Sequence, residues 1–175
     1  MKLGSRIMVM GSSGSGKSTM AKRLGESTGL PVVHLDSISW SPGWVETPKD
    51  IFEAKLREAA DRPAWIIDGN YRSWGLDYRL ERADTVIFLD FSRCTCLLRA
   101  LKRWVKYYGR TRPDLGEGCP EKIDMWLIKW IWGYPKRARG KTLEWLSAIG
   151  PPKQAYHLKG NRAVKRFLDE IRKSY

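Results

Sequence analysis

The sequence predicts an α/β domain in which a parallel β-sheet is covered by helices on both faces. Short apolar runs alternate with helical patterns and occur at residues 6–10, 31–35, 65–67, 85–89 and 155–158. Apolar strands that alternate with helices form βαβ units, and the parallel sheets built from them are buried on both faces. The first run leads into a glycine-rich segment, and the next three end at Asp36, Asp68 and Asp90. Ligands bind beyond the carboxyl ends of such strands, so we expect the functional site at that edge.

The segments between the strands predict the helices. Residues 17–27 form the first, and Thr47 as N-cap with Pro48 at the first helical position begins the second, which ends near Ala60. A basic helix is expected over residues 92–108, followed by a loop rich in proline and glycine at 110–120. Three further helices are predicted over residues 121–132, 142–148 and 161–171, the last capped by Asn161.

Length and composition predict one domain spanning residues 1–175. The net charge is +13, and all of it comes from residues 91–175, which contain twenty basic and seven acidic residues. Such an asymmetry indicates an anionic partner, either a nucleic acid or the phosphates of a small substrate. Composition alone does not separate these two.

The expected location is the cytoplasm. The three cysteines are odd in number and lack metal-ligand spacing, as is typical of free thiols in a reducing compartment. The sequence begins with a strand pattern rather than a signal peptide, and no apolar stretch has the length of a membrane span, so no membrane partner is expected.

One motif carries specific chemistry. The segment Gly11-Ser12-Ser13-Gly14-Ser15-Gly16-Lys17-Ser18 matches the phosphate-binding pattern G-x-x-x-x-G-K-[ST], and Thr19 follows it. Its glycines let successive N–H groups point at phosphate oxygens, and the following helix contributes its positive end. Lys17 is predicted to reach the β- and γ-phosphates, and Ser18 to ligate Mg²⁺. These residues predict a P-loop that binds a purine nucleoside triphosphate with Mg²⁺.

The chain resembles the adenylate-kinase-related small kinases. The resemblance rests on the P-loop, on His34-Leu35-Asp36, on the turn Ile67-Asp68-Gly69-Asn70-Tyr71 and on the later arginine-rich segment. Within these kinases it is most similar to the bacterial DNA topology modulation (FlaR-like) proteins. The resemblance implies a three-layer P-loop NTPase fold with a five-stranded sheet of order 2-3-1-4-5. It also implies ATP as the nucleotide, an acceptor-binding segment at about 37–62 and a lid at about 103–140.

The resemblance also suggests roles for the acids and for one arginine. Asp36 stands where related kinases bind or deprotonate the acceptor hydroxyl, and Asp68 where an acid holds Mg²⁺ through water. Arg72 is a candidate for acceptor binding, although Asn70-Tyr71-Arg72 replaces the Phe-Pro-Arg of adenylate kinases. Asp90 resembles a Walker B acid, but this strand end is usually not the metal site in such kinases.

Arginines are expected to neutralise charge during phosphoryl transfer. Arg103 and Arg110 resemble lid residues that cover the nucleotide, and Arg112 is close enough in sequence to share that role. Arg137 or Arg139 is the candidate for the γ-phosphate. The alternative for basic residues in this half of the chain is a solvated helix face.

The aromatic residues have two interpretations. Trp40 and Trp44 lie on the loop after the second strand, where they either stack on an acceptor or pack the loop. Trp126, Trp130 and Trp132 are predicted to be mostly buried on their helix, and His34 and His157 to be packed within strands.

The leading hypothesis is therefore a kinase of the nucleoside-monophosphate-kinase type, which moves the γ-phosphate of MgATP to a small acceptor. The alternative is a nucleotide-binding protein that contacts DNA through its basic C-terminal half. Nothing in the sequence identifies the acceptor.

Overall fold

The computed structural model describes residues 2–175 and contains a five-stranded parallel sheet between two layers of helices. Its strands are β1 (Arg6–Gly11), β2 (Val32–His34), β5 (Trp65–Asp68), β6 (Thr85–Asp90) and β7 (Gln154–Lys159). Their spatial order is β2-β5-β1-β6-β7. Counted within this sheet alone, that is the predicted order 2-3-1-4-5.

Two further strands, β3 (Trp40–Ser41) and β4 (Val45–Glu46), pair antiparallel as a small hairpin. The hairpin lies within the segment that the sequence predicts to be a loop. The helices of the first half are α1 (Lys17–Thr28), α2 (Leu35–Ser39), α3 (Lys49–Ala60) and α4 (Leu76–Arg82). Those of the second half are α5 (Arg93–Lys106), α6 (Met125–Tyr134), α7 (Gly140–Ala148) and α8 (Gly160–Arg172), with a π-helical turn at Pro135–Arg139 between α6 and α7.

The core has one cluster on each face of the sheet because successive strand residues point to opposite faces. Ile7 and Val9 of β1 pack with apolar residues of α1 and α8. Met8 and Met10 of the same strand pack on the other face, with α3, α4 and α7. The central strands are apolar on both sides because both sides are covered, as the sequence predicts.

Several helix ends differ from the prediction. The N-cap of α3 is Pro48 rather than Thr47. The cap of α8 is Lys159, and Asn161 instead accepts a hydrogen bond from Arg99. Helix α6 begins at Met125, four residues later than predicted, because the Asp124 carboxylate accepts a hydrogen bond from the Leu127 N–H and caps the helix there.

The predicted burial of three tryptophans is wrong. Trp126, Trp130 and Trp132 are 61%, 42% and 47% exposed. Helix α6 packs against α5 through other residues, with Ile131 buried and Leu127 partly buried between them. An apolar pattern that covers more than one helix face does not reveal which face the neighbouring helix occupies.

No helix among residues 2–175 is both long and apolar enough to span a bilayer. Cys94, Cys96 and Cys119 are free thiols.

Candidate functional site

The P-loop connects β1 to α1 at the carboxyl edge of the sheet, where the sequence places it. Lys17 is enclosed, and its Nζ donates a hydrogen bond of 3.0 Å to the Ser12 carbonyl. Burial lowers the pKa of Lys17, while the nearby charges of Asp36 and Asp68 act in the opposite direction. The Ser15 hydroxyl is buried and has no hydrogen-bond partner. A buried ammonium and an unpaired hydroxyl are suited to an anion that enters the loop.

The turn after β5 is tied to the P-loop by Asn70. The Asn70 amide accepts a hydrogen bond from the Gly11 N–H at 3.2 Å and donates one to the Gly11 carbonyl at 2.8 Å. The next residue, Tyr71, donates from its hydroxyl to Asp36 at 2.8 Å. The turn therefore fixes the position of Asp36 relative to the P-loop. Sequence reasoning used Asn70 and Tyr71 only to compare this turn with a family pattern and missed these contacts.

A buried arginine donates hydrogen bonds to the backbone carbonyls of this turn. Arg79 is fully buried, and its Nη atoms donate to the carbonyls of Gly69 at 2.9 Å and Asn70 at 2.7 Å. Burial lowers the pKa of Arg79, partly offset by the nearby Tyr71 and Asp68. Nothing in the local sequence distinguishes Arg79 from a solvated helix residue.

Asp36 and Asp68 lie on neighbouring parts of the same edge, although Asp36 belongs to α2 rather than to the end of a strand. The Asp68 carboxylate is 2.7 Å from Nδ1 of His34. Burial alone would lower the pKa of His34, but the hydrogen bond and the charge of Asp68 outweigh it, so the pKa of His34 is raised. His34 is thus packed, as expected, and is also the partner of Asp68.

Asp90 belongs to a separate ion pair. Its carboxylate accepts hydrogen bonds from Arg139 at 2.9 and 2.8 Å and lies 2.7 Å from Nε2 of His157. Neither Asp90 nor Arg139 lines the cleft described below. The structure therefore brings only Arg137 of the two candidate arginines to the cleft.

Residues 103–140, which the sequence predicts to be a lid, begin in α5 and contain an ion-pair network. Arg103 donates to Glu121 at 2.8 Å, and Arg112 pairs with both Glu121 and Asp114. Burial would raise the pKa of Asp114, but the Arg112 charge and the nearby Ser18 hydroxyl hold that pKa below its ordinary value. Asp114 thus reaches the P-loop serine that the motif assigns to Mg²⁺.

The segment predicted to be a lid also contacts the β3–β4 hairpin. The Trp44 indole donates to the Pro120 carbonyl at 2.9 Å, and the Gly43 N–H donates to the Gly118 carbonyl at 2.8 Å. The side chain of Trp44 packs edge-on against Trp40, with the ring centroids 5.5 Å apart. Arg110 is exposed and does not line the cleft.

These elements enclose a cleft of about 930 Å³. The predicted site residues that line it are Ser13, Lys17, Asp36, Trp40, Trp44, Arg72, Arg103 and Arg137, joined by Arg112. Ser18 and Asp68 are not among the residues that line the cleft, although Ser18 follows Lys17 directly and the charge of Asp68 acts on Lys17. Thr19 is exposed on α1.

Sequence reasoning missed several aromatic walls of the cleft, namely Tyr71, Trp74, Trp126, Trp130 and Tyr134. The rings of Trp126 and Trp130 stack with centroids 5.1 Å apart. Their spacing of four residues places both rings on one face of the helix, and this was visible in the sequence. The same spacing occurs on buried and on exposed faces, so it did not show that the rings line a cleft.

The residues at the P-loop fit a magnesium ion. Ser18 offers a hydroxyl, and Asp114 and Asp68 are the nearby carboxylates. Among residues 2–175, no three His, Cys, Asp or Glu side chains are grouped to hold a metal ion. Mg²⁺ typically binds through one or two carboxylates and completes its shell with phosphates and water, so this set is adequate.

Comparison with solved structures identifies the fold. The chain superposes on shikimate kinase from Acinetobacter baumannii in complex with shikimate, with a TM-score of 0.60, 15% identity, and coverage of 96% of this chain and 90% of that one. For a gluconokinase from Sinorhizobium meliloti 1021 the TM-score is 0.54 and the identity 21%, with coverage of 99% and 97%. Shikimate kinase from Bacteroides thetaiotaomicron matches with a TM-score of 0.54 and 14% identity, over 97% of each chain.

No protein-family model and no curated protein sequence matches the chain. At these identities the structural likeness establishes the fold alone, which this chain shares with the gluconokinase and the two shikimate kinases.

Proposed function

We propose that the protein is an ATP-dependent kinase that phosphorylates a hydroxyl group of a small acceptor. The observation that carries this proposal is the shared cleft. Lys17 of a complete P-loop and the Asp36 carboxylate line the same cavity, and Asp36 is held by Tyr71. Phosphoryl transfer requires little covalent chemistry from the protein, so positioning and charge neutralisation are what the site must provide.

The nucleotide phosphates bind residues 11–19, with Lys17 at the β- and γ-phosphates. Ser18 would hold Mg²⁺, with Asp68 and Asp114 as its carboxylate neighbours, and the ion would neutralise phosphate charge. The acceptor hydroxyl attacks the γ-phosphorus, its proton passes to Asp36, and ADP leaves. Arg103 is proposed to add positive charge from the lid, because its charge acts on Lys17.

Trp40 and Trp44 are proposed to hold the acceptor from the side of the hairpin. Their hairpin is bonded to the lid at Pro120 and Gly118. Closure of these two segments would exclude water from the γ-phosphate and limit ATP hydrolysis without an acceptor.

The test is ADP formation from MgATP across a panel of acceptors. The panel contains nucleoside monophosphates, nucleosides, sugars, hydroxy acids and DNA, and Lys17→Ala provides the blank. One small acceptor should stimulate ADP formation. Asp36→Asn should reduce kcat about 10²–10⁴-fold and leave ATP affinity nearly unchanged.

The kinase proposal fails if ATP binds and no acceptor is phosphorylated. Stimulation by DNA alone would instead favour the alternative, a nucleotide-binding protein that contacts DNA through residues 91–175. Its affinity for DNA would then fall steeply with salt concentration, because binding would release counterions from the phosphates.

A further inference from the structure

Two arginines of the cleft, Arg72 and Arg137, are close enough for the charge of one to act on the other, and neither is paired with a carboxylate in the part of the chain that the structure describes. Among residues 2–175, neither guanidinium forms a salt bridge with a carboxylate, whereas Arg103, Arg112 and Arg139 each form at least one. Arg72 donates through Nη2 to the Ala138 carbonyl at 2.6 Å and to the Thr142 hydroxyl. Arg137 donates through Nη2 to the Trp130 carbonyl at 2.9 Å. No carboxylate of the described residues therefore neutralises the charge of either guanidinium.

The neighbourhood also contains unused hydrogen-bonding groups. Nε of Arg72 and the hydroxyl of Tyr134 are buried and meet no partner at hydrogen-bond geometry, although they are neighbours. Tyr134 is only 6% exposed, yet it lines the cleft. Burial lowers the pKa of Arg72, the neighbouring Tyr134 partly offsets this, and the charge of Arg137 adds a smaller lowering effect. Leaving such buried polar groups unpaired is unfavourable, so the arrangement is suited to an external acceptor of hydrogen bonds.

Aromatic rings fix both guanidiniums in position. The Arg137 guanidinium lies 3.7 Å from the ring centroid of Trp130, and that of Arg72 lies 4.7 Å from the ring centroid of Trp145. Stacking orders the planar fork in advance, so that little side-chain entropy is lost when an oxyanion binds.

We propose that Arg72, Tyr134 and Arg137 form an oxyanion-binding pocket for the acceptor, so that the substrate is a hydroxy compound with a carboxylate or phosphate group. This proposal rests on the proposed kinase function. A guanidinium group binds a carboxylate or a phosphate in the same way, through a pair of N–H donors.

The acceptor, rather than the nucleotide, is the occupant that the geometry favours. Arg103 is the arginine whose charge acts on Lys17 of the P-loop, beside the acidic Asp36 and Asp68, whereas Arg137 acts on Arg72. Arg72 directly follows Tyr71, whose hydroxyl holds Asp36. One acceptor can therefore present its hydroxyl to Asp36 and its anion to the pocket. Arg137, a sequence candidate for the γ-phosphate, is thus reassigned to the acceptor.

The chain offers a matched control. The Arg93 guanidinium lies 4.2 Å from the ring centroid of Trp132, another tryptophan of α6. Arg93 therefore stacks on α6 as Arg137 does, but it lies outside the cleft. Arg93→Gln and Arg137→Gln remove the same charge and the same kind of stacking. Only the second alters the proposed pocket.

The first experiment measures anion binding directly. The P-loop is saturated with the magnesium complex of β,γ-methylene-ATP, which fills the γ-phosphate position, and inorganic phosphate or acetate is titrated in. Binding is followed through the arginine Nε–H resonances. Arg137→Gln should weaken phosphate or acetate binding about 10- to 100-fold, and Arg93→Gln should leave it unchanged. Equal binding by the two variants overturns the proposal. So does a loss of affinity in Arg137→Gln for the methylene analogue alone, because that result places Arg137 at the γ-phosphate.

The second experiment uses turnover with matched acceptors. Glucose, gluconate and glucose 6-phosphate form one series, and adenosine and AMP form another. Phosphorylation should require an anionic member, and comparing gluconate with glucose 6-phosphate separates carboxylate from phosphate. Arg137→Gln should raise KM for that acceptor about 10- to 100-fold, while KM for ATP stays unchanged. Equal use of the neutral members, with KM unaffected in Arg137→Gln, overturns the anion pocket and leaves the kinase function intact. If no member is phosphorylated, the kinase proposal loses support, and the anion titration still decides the pocket.

Discussion

The contact between the P-loop and α5 can be tested at Gly14. Gly14 has a φ of +77°, and a Cβ atom there would lie 2.2 Å from the Cys96 carbonyl oxygen and 2.9 Å from its carbon. Both atoms belong to the backbone of α5, so no side-chain rotation can relieve the overlap. Gly14→Ala must displace the P-loop or the helix.

The magnitude can be separated into two parts. A left-handed conformation costs a residue with a Cβ about 1–2 kcal/mol. Overpacking against fixed atoms adds about 1–3 kcal/mol. Gly29 has a φ of +74° and no atom within 4 Å of an added Cβ, so Gly29→Ala incurs only the first part. We therefore expect Gly14→Ala to lower the free energy of unfolding by about 1–3 kcal/mol more than Gly29→Ala does.

Urea unfolding measures this difference, and calorimetry measures MgATP binding by the same two variants. The displaced loop of Gly14→Ala should bind MgATP about 10-fold or more weakly, because its N–H groups no longer converge. Gly29→Ala should bind MgATP like the wild type. Equal stability loss in both variants, together with normal MgATP affinity in Gly14→Ala, would refute the close packing of the P-loop against Cys96.

Two further predictions concern buried charges near the site. Arg79→Met should lower the free energy of unfolding by about 2–4 kcal/mol, because it leaves the carbonyls of Gly69 and Asn70 without donors. Urea titration measures this loss. A free energy of unfolding within about 0.5 kcal/mol of the wild type would contradict the contacts. The pKa of Asp90 is lowered from 3.8 because hydrogen bonds from Arg139 and His157 outweigh the opposing effect of burial. A carboxyl group whose pKa is lower in the folded state stabilises the fold when the pH is above its pKa in the unfolded state. This stabilisation is lost as the pH falls through its pKa in the folded state. Asp90→Asn should therefore be less stable than the wild type by about 1–2 kcal/mol at pH 7, and the difference should shrink below about pH 4. Urea midpoints at both pH values check this, and a difference that grows in acid would reverse the assigned sign.

The phosphate loop and the sheet were predictable because both depend on local patterns. Residues 11–18 need only glycine, lysine and serine at fixed spacing, and the strands need only apolar residues in short runs. A strand buried on both faces is a continuous apolar run, which is easy to recognise in a sequence. The strand order came from a family resemblance and is confirmed by the structure.

The partners of individual side chains were less predictable. The pattern around Trp126, Trp130 and Trp132 indicates an apolar helix, but only the position of α5 decides that these rings remain exposed. Arg137 and Arg139 are two residues apart and equally basic. The π-helical turn directs Arg137 to the cleft, and Arg139 pairs with Asp90 at 2.8 Å.

The sequence by itself therefore determined the P-loop motif, the layered α/β architecture and the edge of the sheet at which the candidate site lies. Local backbone conformation and hydrophobic periodicity suffice for these features. The tertiary structure alone decided which charges are neutralised and which remain unpaired. Asp114 reaches Ser18 across 96 residues, and Arg72 meets Ala138 across 66. Such pairings depend on how distant segments pack, and no spacing within either segment encodes them.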